Sequence, residues 1–179
     1  MKTICLMAAA LLAPVFALAD TPAVDPLAVV AAQFSGNWKV DVQSFATEFS
    51  REGSQNYLEQ RDCARVDAML TCKVTANGTL QSVLSFAWDL PAGVYRVQEN
   101  VGGKPQPDMT LTIRGTLWTF LQETHDAYGV PLHYRITRSY RSASGASYST
   151  GFSRNGTDWV ILTKGTEIKA SAAPQAQGR

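Results

Sequence analysis

Alternation of apolar and polar residues between Leu132 and Leu162 constrains the fold more than any other feature of the sequence. The stretch predicts three consecutive β-strands, at Leu132–Arg141, Ser147–Arg154 and Asp158–Leu162. In the first of these strands, every second residue from Leu132 to Tyr140 is apolar or aromatic, with Arg138 as the exception. Successive side chains of a strand point to opposite faces, so this pattern predicts one wet face and one face turned to a core.

The turns between these strands set their register. A three-residue loop at Ser144–Ala146 pairs Arg138 with Phe152 and Tyr140 with Thr150. The alternative, a two-residue turn at Ser144-Gly145, would move Phe152 to the wet face, and register follows the buried face. Asn155-Gly156, a strong hairpin signal, then pairs Phe152 with Trp159. The predicted inner face holds eight residues: Tyr134, Ile136, Arg138, Tyr140, Tyr148, Phe152, Trp159 and Ile161.

Arg138 is the one cation on this inner face. A guanidinium stays charged in proteins, so an inward arginine needs a carboxylate, a phosphate or water. Three partners remain open: an internal Glu99 or Glu123, water near the mouth, or the acidic group of a ligand.

The N-terminus predicts a secretory signal peptide over residues 1–19. Lys2 supplies a positive start, Ile4–Leu18 is apolar, and Ala17-Leu18-Ala19 matches an A-x-A cleavage site. A membrane anchor is disfavoured because the apolar run is short and contains Pro14. No later run approaches the ~20 apolar residues of a membrane helix. We therefore expect a periplasmic or secreted protein with no stable membrane insertion after cleavage.

Two cysteines remain after residue 19, Cys63 and Cys72. An even pair in an oxidising compartment predicts a disulfide. A two-residue turn at Asp67-Ala68 pairs Cys63 with Cys72 at a non-hydrogen-bonded position, where side chains approach most closely. The sequence therefore predicts a disulfide that joins two neighbouring strands.

The rest of the chain predicts one short helix followed by strands alone. Asp25-Pro26 suits a helix start, and the helix covers Leu27–Phe34. Strand-and-turn spacing of about 8–12 residues then indicates an antiparallel barrel or sandwich, and short connections favour a closed up-and-down barrel of about 8–10 strands. The predicted units are a linker and helix at 20–33, the barrel at 34–169 and a disordered tail at 170–179.

Four more turns predict cross-strand neighbours. A three-residue loop at Ala76–Gly78 pairs Cys72 with Ser82. The loops at Leu90–Gly93 and Gly102–Lys104 bring Trp88 near Tyr95 and Val97 near Met109. The Arg114-Gly115 turn leaves two inner faces open: Trp118 and Phe120, or Leu117, Thr119 and Leu121.

Gly36-Asn37-Trp38, on the first strand after a short helix, resembles the G-x-W opening of lipocalins and other calycins. Together with the cysteine pair and the Asn155-Gly156…Trp159 segment, residues 34–169 resemble a secreted bacterial lipocalin-like family of unknown function. The resemblance implies a barrel with a cavity and a basic residue, Lys164 or Lys169, packed over Trp38. Arg138-Ser139-Tyr140 is also similar to the Arg-x-Tyr pair with which intracellular fatty-acid carriers hold a carboxylate.

Composition and motifs disfavour several functions. A net charge of +1 without a basic stripe argues against nucleic acid as a partner. The sequence has no G-x-S-x-G, no H-E-x-x-H and no phosphate-binding loop between a strand and a helix. His125 and His133 form no metal-binding pattern, so we expect no metal, no cofactor and no catalytic residue. Catalysis near Glu123–Asp126 is the remaining enzymatic alternative.

The sequence thus predicts a non-enzymatic protein that binds a small hydrophobic or amphipathic molecule, with Arg138 offering a contact to an anionic group. The alternative is an interaction or structural module with a filled barrel, whose protein partner the sequence does not identify. The predicted ligand-binding residues are Arg138, Tyr140, Tyr134, Phe152, Trp159 and Trp88.

Overall fold

The structure is a computed structural model that describes residues 25–170. The predicted signal peptide, the linker up to residue 24 and the tail from residue 171 lie outside the described residues. Within the described part, no helix has the length and apolar character needed to cross a membrane.

The described chain holds one helix and eleven strands. The elements are α1 (Pro26–Phe34), β1 (Gly36–Ser44), β2 (Gly53–Val66), β3 (Met69–Ala76), β4 (Thr79–Asp89), β5 (Val94–Val101), β6 (Lys104–Pro105), β7 (Met109–Arg114), β8 (Leu117–His125), β9 (Pro131–Ser142), β10 (Gly145–Ser153) and β11 (Val160–Lys169).

The strands form a closed antiparallel barrel. β1 pairs with both β2 and β11, and β4 pairs with β5, so the sheet has no open seam. β5 continues to β7, while the two-residue β6 extends the end of β5 and stays outside the ring of ten strands. The predicted all-β, up-and-down, lipocalin-like barrel with a short N-terminal helix is confirmed. Closure removes exposed strand edges.

Helix α1 covers one end of the barrel. It begins as predicted: the Asp25 carboxylate accepts a hydrogen bond from the backbone N–H of Leu27 at 3.0 Å, and Pro26 starts the helix. Phe34 is buried and packs edge-on against Phe86 of β4, with ring centroids 5.7 Å apart. The Tyr95 hydroxyl donates to the Pro26 carbonyl at 3.0 Å. We call this end, with the β2–β3, β4–β5, β7–β8 and β9–β10 turns, the closed end.

Several predicted pairings are confirmed. The Asp67-Ala68 turn places Cys63 opposite Cys72, and the two form a disulfide with Cα atoms 4.0 Å apart. The pairs Trp88 with Tyr95 and Val97 with Met109 are also observed. At the turn left open by the sequence, Trp118 and Phe120 are the residues that face the core.

Three predicted registers are wrong. Val74 pairs with Ser82 and Cys72 with Leu84, because the β3–β4 turn has two residues and is followed by a bulge. Arg138 pairs with Tyr148 and not with Phe152, because β9 continues to Ser142 before the chain turns.

The third error lies between β10 and β11. Phe152 pairs with Val160 and not with Trp159, because residues 154–159 form a loop. In that loop the Asn155 side-chain carbonyl accepts from the backbone N–H groups of Thr157 and Asp158 at 3.0 and 2.9 Å. The asparagine therefore organises a longer loop and not a tight hairpin turn.

Candidate ligand cavity

A cavity of about 910 Å³ occupies the barrel interior and opens at the end opposite α1. Its deeper wall is largely apolar and is formed by Phe34, Val74, Leu84, Met109, Phe120 and Ile136. Nearer the β3–β4 turn the wall is polar and neutral, with Gln55, Asn77, Thr79, Gln81 and Ser82. The charged residues of the lining are Glu59, Glu99 and Arg138. The cavity therefore offers separate regions for the apolar and polar parts of an amphipathic molecule.

A buried ion network lies beside the apolar wall and centres on Glu167. Arg138 Nη1 donates to both carboxylate oxygens of Glu167, at 2.7 and 2.8 Å. Arg61 Nη2 donates to Glu167 Oε1 at 2.8 Å, and Arg61 Nε donates to Glu59. The side chains of Arg61 and Glu167 are only 0% and 2% exposed, whereas Arg138 is 16% exposed and reaches the cavity. The network thus joins β2, β9 and β11 inside the barrel.

Aromatic rings hold both guanidiniums in place. The Arg61 guanidinium lies 4.6 Å from the Phe34 ring centroid and 5.1 Å from that of Trp38. Arg138 lies 5.4 Å from the Phe34 centroid and 5.8 Å from that of Tyr148. A cation over an aromatic face is attracted by the ring quadrupole, which helps to offset the loss of hydration.

Gly165 makes room for the Tyr148 ring beside this network. A Cβ atom at position 165 would lie 2.5 Å from a carbon of the Tyr148 ring and would also collide with the Asp41 carbonyl. The glycine in β11 therefore serves close packing between neighbouring strands and not a turn.

Electrostatics keep the network charged. Burial opposes ionisation of Glu167, but Arg138 and Arg61 outweigh it and hold the pKa of this carboxyl below its ordinary value. Burial likewise disfavours the charged form of Arg138, and the Glu167 charge outweighs it and raises the pKa of the guanidinium. Burial raises the pKa of the nearby Tyr57 and Tyr148 phenols, so both rings are neutral at physiological pH.

Three buried polar atoms near the network have no hydrogen-bond partner among the described residues: Arg61 Nη1, Arg138 Nε and the Tyr140 hydroxyl. Two of them belong to guanidiniums that donate to carboxylates through other atoms, Nε and Nη2 of Arg61 and Nη1 of Arg138. A buried donor without a partner costs free energy, so these atoms are unsatisfied hydrogen-bonding groups beside the network.

Of the six predicted ligand-binding residues, the structure places Arg138 alone in the cavity lining. Its inward orientation is confirmed, but its carboxylate partner is Glu167 and neither Glu99 nor Glu123. Tyr140 packs edge-on against Trp118 at 4.9 Å, near the closed end. Trp88 packs against Tyr95 at 4.7 Å, also at that end.

The other three predicted residues lie towards the opposite end. Phe152 and Tyr134 pack against Phe49 of the β1–β2 loop, with centroid separations of 4.7 and 6.3 Å. Trp159 was expected on the inner face, and this placement is wrong. It lies in the β10–β11 loop, where its ring stacks with the Arg135 guanidinium at 3.9 Å.

Arg61, Glu59 and Glu167 were not predicted as site residues. The sequence carries a signal for the first two, since Tyr57, Glu59, Arg61 and Cys63 alternate along β2 and share a face with the disulfide. Glu167 was not recognised as an inward-facing residue, because the sequence predicts that the last strand ends at Leu162, whereas β11 continues to Lys169. Of the two lysines predicted to pack over Trp38, Lys169 does so at 5.2 Å, and Lys164 lies instead over Phe45.

Ion pairs join three loops at the open end. Arg154 of the β10–β11 loop donates to Asp126 at 2.7 Å and to Glu48 at 2.9 Å. Asp126 Oδ1 in turn accepts from the backbone N–H groups of Tyr128 and Val130. The hydrogen bond from Arg154 lowers the pKa of Asp126. We call Glu48, Asp126 and Arg154 the loop latch.

No family model matches the chain, and no curated protein matches its sequence significantly. Among solved structures, the fold is similar to that of the S-type phycobiliprotein lyase CPES from Guillardia theta. The TM-score is 0.56 over 82% of this chain and 94% of the other, at 7% sequence identity. At this identity the similarity shows the fold alone, a lipocalin-like antiparallel barrel.

Proposed function

We propose that this protein binds a small amphipathic molecule inside its barrel, as a carrier or sensor. The observation that carries the proposal is the cavity of about 910 Å³, open at one end, with an apolar wall and a neutral polar rim. Cavities of roughly 300–1,000 Å³ with few polar groups are typical of small-molecule sites.

The alternative, an interaction module with a filled barrel, predicts an internally paired Arg138. That pairing is present, since Glu167 neutralises the guanidinium. A filled barrel also predicts no cavity, however, and the cavity favours the carrier. The pairing removes the reason to expect an anionic ligand, because an anion would have to compete with Glu167 for Arg138.

Two observations support a location outside the cytoplasm. Residues 1–19 have the pattern of a secretory signal peptide, and the chain forms a disulfide. Disulfides persist mainly in oxidising compartments. We propose binding without catalysis because the acid/base candidates of the sequence, Glu123, His125 and Asp126, do not line the cavity.

The test uses N-phenyl-1-naphthylamine, a neutral dye that fluoresces in apolar surroundings. Leu84 lines the cavity, whereas its neighbour Ser85 points away from it. We expect the wild-type protein to bind the dye. Leu84→Trp places a bulky indole in the apolar part of the cavity and should weaken dye binding at least about tenfold, and Ser85→Trp, the matched control, should leave dye binding unchanged.

Circular dichroism of both variants checks that the barrel is intact. Native mass spectrometry of the wild-type protein isolated from its own cells should also show an added small-molecule mass that is absent from Leu84→Trp. Equal dye binding by Leu84→Trp and the wild type, or no binding by the wild type, would refute the proposed cavity site.

A further inference from the structure

The cavity lining and the ion network directly behind it carry more negative than positive charge. Three carboxylates, Glu59, Glu99 and Glu167, line the cavity or lie directly behind its wall, against two guanidiniums, Arg61 and Arg138. Glu167 and Glu59 are paired with the arginines. One carboxylate, that of Glu99, has no positive partner among residues 25–170.

Glu99 faces the cavity from β5. It pairs across the sheet with Leu84 of the cavity wall, and it follows the buried Val97 by two positions, which places both side chains on the inner face. No cationic side chain of residues 25–170 lies within salt-bridge distance of its carboxylate. A half-buried carboxylate without a partner favours a positive group beside it.

The groups around Glu99 suit a cation with an apolar tail. Ser82 and Gln81, near it on the adjacent strand β4, offer neutral hydrogen-bonding groups. Met109 and Phe120 provide apolar surface in the deeper wall. Arg138 is the one cation of the described lining, and Glu167 holds it through both carboxylate oxygens.

We infer that the ligand of this cavity is an amphipathic cation, with an amine or similar positive group paired to Glu99 and its apolar part against the deeper wall. This inference rests on the proposed function and names the chemical class of the ligand. It replaces the anionic group that an inward Arg138 suggested from sequence.

Three probes with the same ten-carbon tail test the inference: decylammonium, decanol and decanoate at neutral pH. Each competes with N-phenyl-1-naphthylamine for the wild-type cavity. We expect decylammonium to bind most tightly and decanoate least. Glu99→Gln keeps the shape of the side chain. It should weaken the binding of decylammonium about tenfold, the loss typical of one charge-assisted hydrogen bond, and leave the binding of decanol unchanged.

Glu123→Gln is the matched control. This substitution removes a carboxylate that is 73% exposed on the barrel exterior, so the variant should bind all three probes as the wild type does. If decanol binds but decylammonium has no advantage, or keeps it in Glu99→Gln, the inference is overturned and the binding function stands. If the dye and all three probes fail to bind the wild-type protein, the proposed function itself is refuted.

Discussion

Glu167 is the residue on which the buried charges of the barrel depend. Its carboxylate accepts from both Arg61 and Arg138 while only 2% exposed. A buried ion network adds little net stability, but removal of one partner leaves the others charged and unpaired. The main effect of the network on stability is therefore expected when one of its members is removed.

We expect Glu167→Gln to destabilise the protein by about 3–5 kcal/mol, because it leaves two buried guanidiniums without their shared carboxylate. Urea unfolding followed by tryptophan fluorescence measures the change. Glu123→Gln, on the exterior, removes the same charge and should leave the midpoint nearly unchanged. A small loss in Glu167→Gln, similar to that of the control, would show that the network does not hold the interior charges.

The pH dependence of the same comparison tests the charge of Glu167 directly. Its folded-state pKa lies below the ordinary value of 4.5, so its contribution is fully present above that value and is lost as pH falls through the folded pKa. The stability difference between the wild type and Glu167→Gln should be constant from neutral pH to about pH 5 and shrink in more acidic solution. A constant difference down to pH 2 would contradict this assignment.

Residue-level sequence reasoning predicted one of the four residues of this network, Arg138. Alternation along β9 placed Arg138 inward and required a partner for it, and the structure confirms both. The partner of Arg138, Glu167, lies beyond Leu162, where the sequence predicts the last strand to end. Gly165 interrupts the strand-like composition of β11, so the alternation of Thr163, Gly165 and Glu167 on one face was not recognised.

At the level of elements, the sequence predicted faces better than registers. Alternation has a period of two, so a register error of an even number of residues leaves every side chain on its correct face. Arg138 was assigned to Phe152 but pairs with Tyr148, and Cys72 was assigned to Ser82 but pairs with Leu84. Both errors preserve the apolar face, because bulges absorb the extra residues.

The Asp67-Ala68 and Asn155-Gly156 turns show why turn residues alone do not predict the length of a turn. The first is a two-residue turn, as the disulfide requires. The second has the stronger hairpin motif, yet Asn155 accepts backbone hydrogen bonds from Thr157 and Asp158 and opens a loop. The loop latch holds that loop through the neighbouring Arg154, and a tertiary contact of this kind is not visible in local sequence.

The latch leads to a prediction about loop motion. We expect Arg154→Ala to speed amide hydrogen exchange several-fold in the loops at 45–52 and 126–130, because Arg154 joins Glu48 to Asp126. Global stability should change little, since the Arg154 side chain is 41% exposed, Asp126 keeps its hydrogen bonds from Tyr128 and Val130, and ion pairs of surface side chains contribute little. Arg96→Ala removes an exposed pair with Asp89 at the closed end and should leave both loops unaffected. Hydrogen exchange followed by mass spectrometry measures this effect. Equal protection of both loops in Arg154→Ala and the wild type would show that the loop latch does not restrain them.

For the whole molecule, closure joins the two ends of the described chain. β1 pairs with β11 along the seam, and Glu167 of β11 reaches past β1 to Arg61 of β2. The seam is therefore bridged twice, by backbone hydrogen bonds and by a buried ion pair. Short connections and a continuous inner face were enough to predict this closure. The cavity was implied by the resemblance to calycins and not by these patterns, because its size depends on side-chain volumes summed across ten strands.

A barrel with a cavity should gain stability when the cavity is occupied. A ligand that binds the folded state alone stabilises it by about 2.7 kcal/mol at one hundred times its Kd. For a domain of this size, that gain should raise the melting temperature by about 5–10 °C. N-phenyl-1-naphthylamine should therefore shift the wild-type melting curve, followed by circular dichroism, and leave that of Leu84→Trp in place. A dye that fluoresces with the wild-type protein but does not raise its melting temperature would have to bind outside the cavity, because occupation of the interior is necessarily linked to the folded barrel.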